Sequence, residues 1–293
     1  TLPITHGACM TSRHYGNNAF PPQLFNILAA PCLLYRHKGL FRQMLQRNIS
    51  ARYRGSVLGL VWSFAHPLMM LAVYTFVFGI VFRARWGVET LDENRAAFPL
   101  IMFCGLAVFS VFSESLNSSG SLIVNHAGFV KKVVFPLELL PLCTVATAFF
   151  FGAAWFSLLL LGACVFLQSL SWTMCLLPLT LAPLLLFTAG ASLIIAALGV
   201  YLRDVPQLVG VVTQILFFMT PIFYPVSLVP ERLRWLLHLN PLTPVVEETR
   251  KLFLYGQEPD YMVCLWLFLF SLAVFQIGLA CFGKMKKGFA DVL

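Results

Sequence analysis

The sequence predicts an all-α polytopic membrane protein with about six transmembrane helices, an N-terminal amphipathic interface helix, and re-entrant external helices between spans five and six. Three observations carry this reading. First, 59% of the 293 residues are hydrophobic and 11% are charged, against roughly 25% charged in soluble domains; the mean hydropathy is +0.82. Second, Asp, Glu, Lys and Arg are missing from Gly55 to Phe82 and again between Glu138 and Arg203, whereas ~20 apolar residues suffice to cross a bilayer. Third, the basic residues behind the net charge of +8 flank these stretches. They read as topology signals rather than as a nucleic-acid surface, so no nucleic-acid partner is expected.

Residues 1–34 are expected to form a cytosolic arm, because Pro3, Pro21, Pro22 and Pro31 interrupt them and no period is sustained. From Tyr35 to Arg54, Phe41, Leu45, Ile49 and Tyr53 recur every fourth residue with Leu40 and Met44 beside them. Arg42, Gln46, Arg47, Ser50 and Arg54 take the other faces. The spacing predicts an amphipathic helix, lying in the membrane interface or packed on protein. Span one, 57–82, follows directly, and Pro67 inside it lacks a backbone donor and favours a kink. The stretch from Arg47 to Phe82 is expected to be the spine of the bundle. No signal peptide is expected, because the first long apolar run begins only after Gly55.

A mixed-charge external loop, Arg83 to Ala97, leads into span two, 98–120, with Glu114 in its far half. An acid within a span is a functional candidate, although Ser115, Asn117, Ser118 and Ser119 beside it offer hydrogen bonds. Ser121 to Glu138 is polar again. The charge-free stretch after Glu138 is too long for one helix, so it is predicted to be a hairpin, 139–167 and 173–200, turning near Gln168. Span five, 205–225, is interrupted by Thr220-Pro221 and Tyr224-Pro225. From Val226 to Gly256 charged and apolar residues mix with Pro230, Pro241 and Pro244, which suits short helices sheltered by protein at membrane depth. Span six, 261–283, ends in Lys284, Lys286 and Lys287, leaving 286–293 as a cytosolic tail.

The eight cysteines contain no CxxC pair, so neither a disulfide framework nor a metal site is expected. His66 and His126 have no acidic partner at ligand spacing. The segment Gly278 to Lys284, GLACFGK, fits the spacing GxxxxGK. However, Met285 stands where a phosphate loop needs Ser or Thr, and a membrane span precedes it. No catalytic constellation and no nucleotide site are expected in this chain, so any ATP-driven work needs a separate subunit.

Five segments carry a resemblance: RYRGSVLGLVWSFAHPLMMLAVYTFVFGIVF at 52–82, VKKVVFPLELLPL at 130–142, ALGVYLRDV at 197–205, PIFYPVSLVP at 221–230 and NPLTPVVEETR at 240–250. In this order they resemble the type-2 ABC exporter permeases, and are most similar to the Wzm-type O-antigen permeases that export lipid-linked polysaccharide. The resemblance covers residues 35–285. It implies a homodimer of six-span subunits in the bacterial inner membrane, joined to two copies of an ABC ATPase subunit that holds the ATP and magnesium. It implies undecaprenyl-diphosphate-linked polysaccharide as substrate. It maps a coupling helix that docks into the ATPase onto Leu122 to Val133, with Asn125, His126, Gly128, Lys131 and Lys132 as candidate contacts.

Tyr74, Phe78, Phe217 and Tyr224 are the candidate channel aromatics, since sugar rings present apolar C–H faces to aromatic faces; core packing or lipid contact would use the same rings. Arg52, Tyr53 and Arg54 sit where the interface helix turns into span one. They are the candidate lipid-diphosphate site, because Arg offers phosphate a planar fork of donors; anchoring to anionic lipid is the alternative. Capsule and teichoic-acid permeases share the plan. A drug or small-lipid exporter and an integral-membrane transferase are the other classes left open.

With the N-terminus inside, Lys and Arg divide about two to one in favour of the inner segments, so both termini are expected in the cytosol. Reporter fusions at Val88 and Gln257 should score external, and fusions at Lys131 and Leu293 internal. An internal score at Val88 overturns this orientation.

Overall fold

The structure, a computed structural model, describes residues 29–81, 97–132, 135–167 and 171–293. Among the described residues the regular structure is entirely helical. Helices α1 (Ala29–Arg36) and α2 (Lys38–Arg52) meet at His37. The single amphipathic helix expected over 35–54 is therefore two helices, and it stops at Arg52. Met44 is buried in a cluster with Ile123, Leu137 and Leu140, and Leu40, Phe41 and Leu45 pack around it. One side of the apolar stripe thus packs on protein, while Arg42, Gln46 and Arg47 stay exposed.

Gly55 and Gly59 have φ of +84° and +50°, a left-handed conformation that costs an L side chain ~1–2 kcal/mol. They turn the chain through a 3₁₀ turn (Gly59–Val61) into α3 (Trp62–Tyr74), which widens into a π-helical stretch, Thr75–Val81. Next come α4 (Ala97–Ser119), α5 (Leu122–Asn125) and α6 (Ala127–Lys132). Helix α7 (Leu139–Gly162) continues to Leu167, and α8 (Leu177–Tyr201) begins in a 3₁₀ turn at Trp172. The rest is α9 (Val205–Met219), α10 (Glu231–His238), α11 (Leu242–Arg250), α12 (Tyr261–Met285) and α13 (Phe289–Val292). Of the expected connections, the loop after span one and the turn at Gln168 lie outside the described residues.

Among the described residues, five helical segments are long and apolar enough to cross a membrane: Gly59–Val81, Phe98–Ser119, Leu139–Val165, Trp172–Tyr201 and Tyr261–Val292. Helix α9 is apolar but has only 15 residues, a rise of ~22 Å against a hydrocarbon core of ~30 Å. Contacts fix the directions. Gly79 meets Phe98, so α3 runs antiparallel to α4. Gly152 meets Val111 and Gly162 meets Leu100, so α7 does too. Phe112 stacks on Phe187 and Gly120 meets Gly199, which makes α8 parallel to α4. Gly120 against Pro206 and Phe109 against Phe217 make α9 antiparallel. Phe187 with Phe270 and Gly190 with Gly278 make α12 parallel to α8. The passes therefore alternate, and α2, α5, α6 and α13 gather at one end of the bundle. There Lys286 Nζ reaches the buried Glu138 carboxylate at 2.9 Å, and the Tyr201 hydroxyl donates to the Met285 carbonyl at 2.7 Å.

The centre of the bundle is α4, and this corrects the expected spine. In the apolar windows, 78% of Phe98–Ser119 is buried but only 6% of Gly59–Val81. The cause is what surrounds each helix. Helix α4 packs on α7, α8, α9 and α11, whereas α3 touches α4 and α7 along one flank. Helix α8 is most extensively packed on α12, where small residues let the backbones approach. A Cβ on Gly278 would lie 2.5 Å from the Gly190 carbonyl oxygen. Gly278 is thus an interior packing residue of a helix that runs on to Met285, so GLACFGK is not a phosphate loop.

At the opposite end from α2, the break after α9 is closed by Arg250, whose side chain is 1% exposed. Its Nη2 donates to the Pro221 and Ile222 carbonyls at 2.6 and 3.2 Å, and its Nε to the Ile101 carbonyl of α4 at 3.4 Å. Its Nη1 donates to Glu247 at 2.9 Å. Asn240 bonds the Thr220 hydroxyl at 2.8 Å. Helix α11 and Asn240 before it are therefore tied to the broken segment, Arg250 through the Pro221 and Ile222 carbonyls and Asn240 through the Thr220 hydroxyl.

A Cβ on Gly199 would lie 1.9 Å from the Gly120 carbonyl oxygen. Overpacking costs ~1–3 kcal/mol even where side chains give way, and here backbone stands in the way. Gly199→Ala should lower the thermal midpoint of the purified protein or abolish its monodisperse form. Gly283→Ala, whose Cβ meets nothing within 4 Å, should leave the midpoint unchanged. A fully stable Gly199→Ala protein would show that α8 does not meet α4 in this register.

Candidate functional site

The turn from α2 into α3 gathers residues from four helices around a cleft of about 340 Å³. Arg52 and Tyr53 come from the end of α2, and Trp62, Ser63 and His66 from α3. Glu114 comes from α4, and Phe151 and Trp155 from α7. Arg52 Nη1 is ion-paired with Glu114 Oε1. The guanidinium lies over the Phe151 ring, 4.2 Å from its centroid, and 5.7 Å from that of Tyr53. Tyr53 meets Phe151 edge-on at 5.6 Å, and its hydroxyl accepts from Ser63 Oγ at 3.2 Å. His66 faces Trp155 edge-on at 6.3 Å, and Trp155 stacks on Phe103 at 5.3 Å.

Two of the three candidate diphosphate residues, Arg52 and Tyr53, thus share one cleft, while Arg54 is exposed beyond the end of α2. The charge of Arg52 is already balanced by Glu114. The sequence offers Glu114 serine and asparagine partners on its own helix. Its actual partner lies 62 residues away, where no local pattern points.

A second feature is the exposed face shared by α4 and α9. Ser113 and Asn117 of α4 with Thr213 and Gln214 of α9 line a shallow cleft of about 240 Å³, bordered by Phe109 and Phe217. Asn117 Nδ2 donates to the Ser113 carbonyl at 2.8 Å and to Thr213 Oγ1 at 3.3 Å. A cluster of rings adjoins it. Phe217 lies 5.0 Å from Phe109 and 6.2 Å from Tyr74, and Phe223 lies 5.2 Å from Tyr74 and stacks on Phe78 at 4.4 Å. Tyr74, Phe78 and Phe217 are therefore brought together, joined by Phe109 and Phe223, which sequence reasoning missed because nothing in their spacing marks them. The fourth candidate, Tyr224, donates its hydroxyl to the Phe218 carbonyl at the end of α9, at 3.0 Å.

The third feature is the α5–α6 knob. The coupling helix expected over Leu122 to Val133 is two short helices divided at His126, whose Nδ1 lies 2.9 Å from the Leu122 carbonyl oxygen. Its ring stacks on Phe129 at 5.9 Å, and Phe129 stacks on Phe135 at 4.9 Å. Ile123 is buried, whereas Asn125 and Gly128 are exposed at the tip. Lys131 and Lys132 end α6; their side chains and Val133 lie outside those described.

Alternating apolar passes of this length, with a polar, ring-bordered face exposed between α4 and α9, are those of a polytopic membrane protein. Residues 39–254 match the family described as ABC-2 type transporter, and the chain belongs to that family. It is 30% identical over 260 residues to the O-antigen export system permease protein RfbA of Myxococcus xanthus, covering 88% of this chain and 96% of that protein. It is 30% identical over 250 residues to the RfbA permease of Klebsiella pneumoniae, 84% of this chain and 92% of that one. The polysialic acid transport protein KpsM of Escherichia coli is 24% identical over 244 residues, 82% of this chain and 91% of KpsM.

The Arg52–Glu114 pair gives a direct test of the cleft. Arg52→Gln leaves a carboxylate without its cation and should lower stability by ~1 kcal/mol, the upper range for a partly exposed pair. The swap Arg52→Glu with Glu114→Arg should recover part of the loss, read as the thermal midpoint in lipid nanodiscs. A swap no more stable than the worse single variant means that the pair does not form.

Proposed function

We propose that the chain is the permease subunit of an ABC exporter that moves undecaprenyl-diphosphate-linked polysaccharide, O-antigen in the first instance, across the bacterial inner membrane. The α4–α9 face carries this reading. In hydrocarbon, each unmet polar group costs several kcal/mol. Ser113, Asn117 and Thr213 are hydrogen-bonded within α4 and α9, but the exposed amides of Asn117 and Gln214 keep further donors and acceptors that lipid cannot meet. They suit an aqueous path bounded by a second copy of the chain. The rings of Phe109, Phe217 and Tyr74 offer platforms for the C–H faces of sugars, and the amide and hydroxyl groups offer partners for their hydroxyls. The strip carries no fixed charge, which suits a surface along which a polymer must slide and not be held.

ATP and magnesium belong to a separate ABC ATPase subunit, two copies to two permeases. We assign the α5–α6 knob, with Asn125, His126, Gly128, Lys131 and Lys132, as the place where that subunit docks, and the excess of Lys and Arg in the inner segments supports both termini in the cytosol. Residues 35–285 form the transport body. O-antigen is preferred over capsular polymer because the RfbA permeases match at 30% identity and KpsM at 24%.

Cysteines placed singly at Asn117 and Gln214, in a background without native cysteines, should react with a membrane-impermeant thiol reagent while the assembled transporter hydrolyses ATP. A cysteine at Leu269, exposed on α12, should not. Equal reactivity at all three sites would remove the aqueous path. Gly128→Cys should cross-link to the ATPase, and the purified chain alone should hydrolyse no ATP; cross-linking only to lipid or to the other permease copy sinks the docking assignment.

A further inference from the structure

We propose that the cleft between α2, α3, α4 and α7 is a binding subsite for one neutral pyranose ring. This rests on the polysaccharide-export reading only for the source of the ring, which is the sugar nearest the lipid diphosphate.

Three classes of ligand compete for such a cleft, and its chemistry separates them. An apolar lipid tail would cover the Arg52–Glu114 pair and the Ser63 and Tyr53 hydroxyls without replacing their water, which is costly. A phosphate or diphosphate would meet a cation already neutralised, with the Glu114 carboxylate beside it; it must displace that carboxylate or lie against like charge. A neutral polyol needs donors, acceptors and an apolar platform together, and the cleft supplies all three. Arg52 commits Nη1 to Glu114, so its Nε and Nη2 remain as donors to a ligand. Glu114 commits Oε1, so Oε2 remains as an acceptor. Trp62 and Trp155 line the same cleft with their indoles.

The polar pair is also held in advance. Phe151 lies 4.2 Å beneath the guanidinium, and Tyr53 meets Phe151 edge-on while accepting from Ser63. A fixed donor–acceptor pair spends less ordering entropy on binding. The volume, about 340 Å³, lies at the lower end of the ~300–1,000 Å³ typical of small-molecule sites, which suits one ring and not an oligosaccharide. Arg54 is exposed just past the end of α2, within ~7 Å of chain from Arg52. The phosphate recognition expected of all three residues at 52–54 therefore divides: the sugar sits with Arg52 and Tyr53, and the phosphate lies outside, toward Arg54.

The test uses the intact permease–ATPase complex in nanodiscs of glycan-free lipid. Methyl glycosides of glucose, galactose, mannose, rhamnose and N-acetylglucosamine are screened by saturation-transfer NMR, with inorganic pyrophosphate as competitor. The expected result is transfer to the ring C–H protons of at least one glycoside, weakened at least fivefold in Trp155→Leu and in Glu114→Gln, kept in Trp155→Phe, and unaffected by pyrophosphate. No glycoside signal above that of Trp155→Leu overturns the proposal, and so does displacement by pyrophosphate, which would make the cleft an anion site. Assembly of each variant is checked by its co-purification with the ATPase. Surface polysaccharide in cells carrying the unaltered complex separates the two readings. Export without glycoside binding removes only the subsite, and binding without export of any polysaccharide removes the export reading while the cleft stands.

Discussion

A chain at membrane depth has no water to satisfy its backbone, and Arg250 is where this protein meets that constraint most directly. The helix of span five stops at Met219, its last main-chain bond running from Thr220 N–H to the Leu216 carbonyl, and the chain then bends through Pro221 to Pro225 outside the helical ladder. The Arg250 guanidinium takes the carbonyls of Pro221 and Ile222 and reaches Ile101 on α4. The carbonyls held there precede Phe223, which stacks on Phe78 and meets Phe217 at 5.2 Å. One buried cation thus fixes the broken segment, ties α11 to the central helix and sets the ring at the hub of the aromatic cluster. The close approach on Gly105, where an added Cβ would come within 3.3 Å of Arg250 Nη2, leaves the guanidinium its place.

Much of this plan was legible in the sequence, for reasons that are local. Runs without charge marked the spans, and the excessive length of the run after Glu138 required the hairpin. Prolines marked the interruption of span five and the short helices that follow. What was not legible depends on neighbours distant in the chain. Spans one and two have nearly equal hydropathy, 1.8 and 1.7, so composition could not say that the second is central and the first peripheral. The breaks at His37 and His126 involve neither Pro nor Gly. The candidate rings were half readable: Tyr74 and Phe78 share a helical face by spacing, but Phe223 joins them only because Arg250 holds the backbone before it.

The ion pairs described between residues far apart in sequence, Arg52–Glu114 and Lys286–Glu138, join different helices at one end of the bundle. At the other end Arg250–Glu247 and Lys251–Glu248 lie within α11 and its continuation. Glu248 also accepts from the Asp260 backbone N–H at 2.8 Å, which ties α11 to the start of α12. The other contacts described between the long helices are close approaches at glycine, rings, and the Asn117–Thr213 hydrogen bond. This arrangement places the described ion pairs toward the two ends of the bundle.

The thin attachment of α3 has a mechanical meaning. Helices α4, α7, α8 and α12 form a frame closely packed at glycine: α8 meets α12 and the end of α4 at backbone, and the glycines of α7 meet Val111 and Leu100 of α4. Helix α3 and its π-helical continuation are held by side chains: Tyr74 and Phe78 meet Phe217 of α9 and Phe223 beyond it, and Ser63 bonds Tyr53 beside Phe151 of α7. At one end it has the left-handed glycines Gly55 and Gly59, and at the other a π-helical stretch, a departure from α geometry frequent at functional sites. Displacing it breaks ring contacts and no ladder of main-chain hydrogen bonds. The seam along α3 therefore belongs to the least buried of the described apolar passes, with 6% of its window covered, and it carries side-chain contacts where the other passes are locked at glycine.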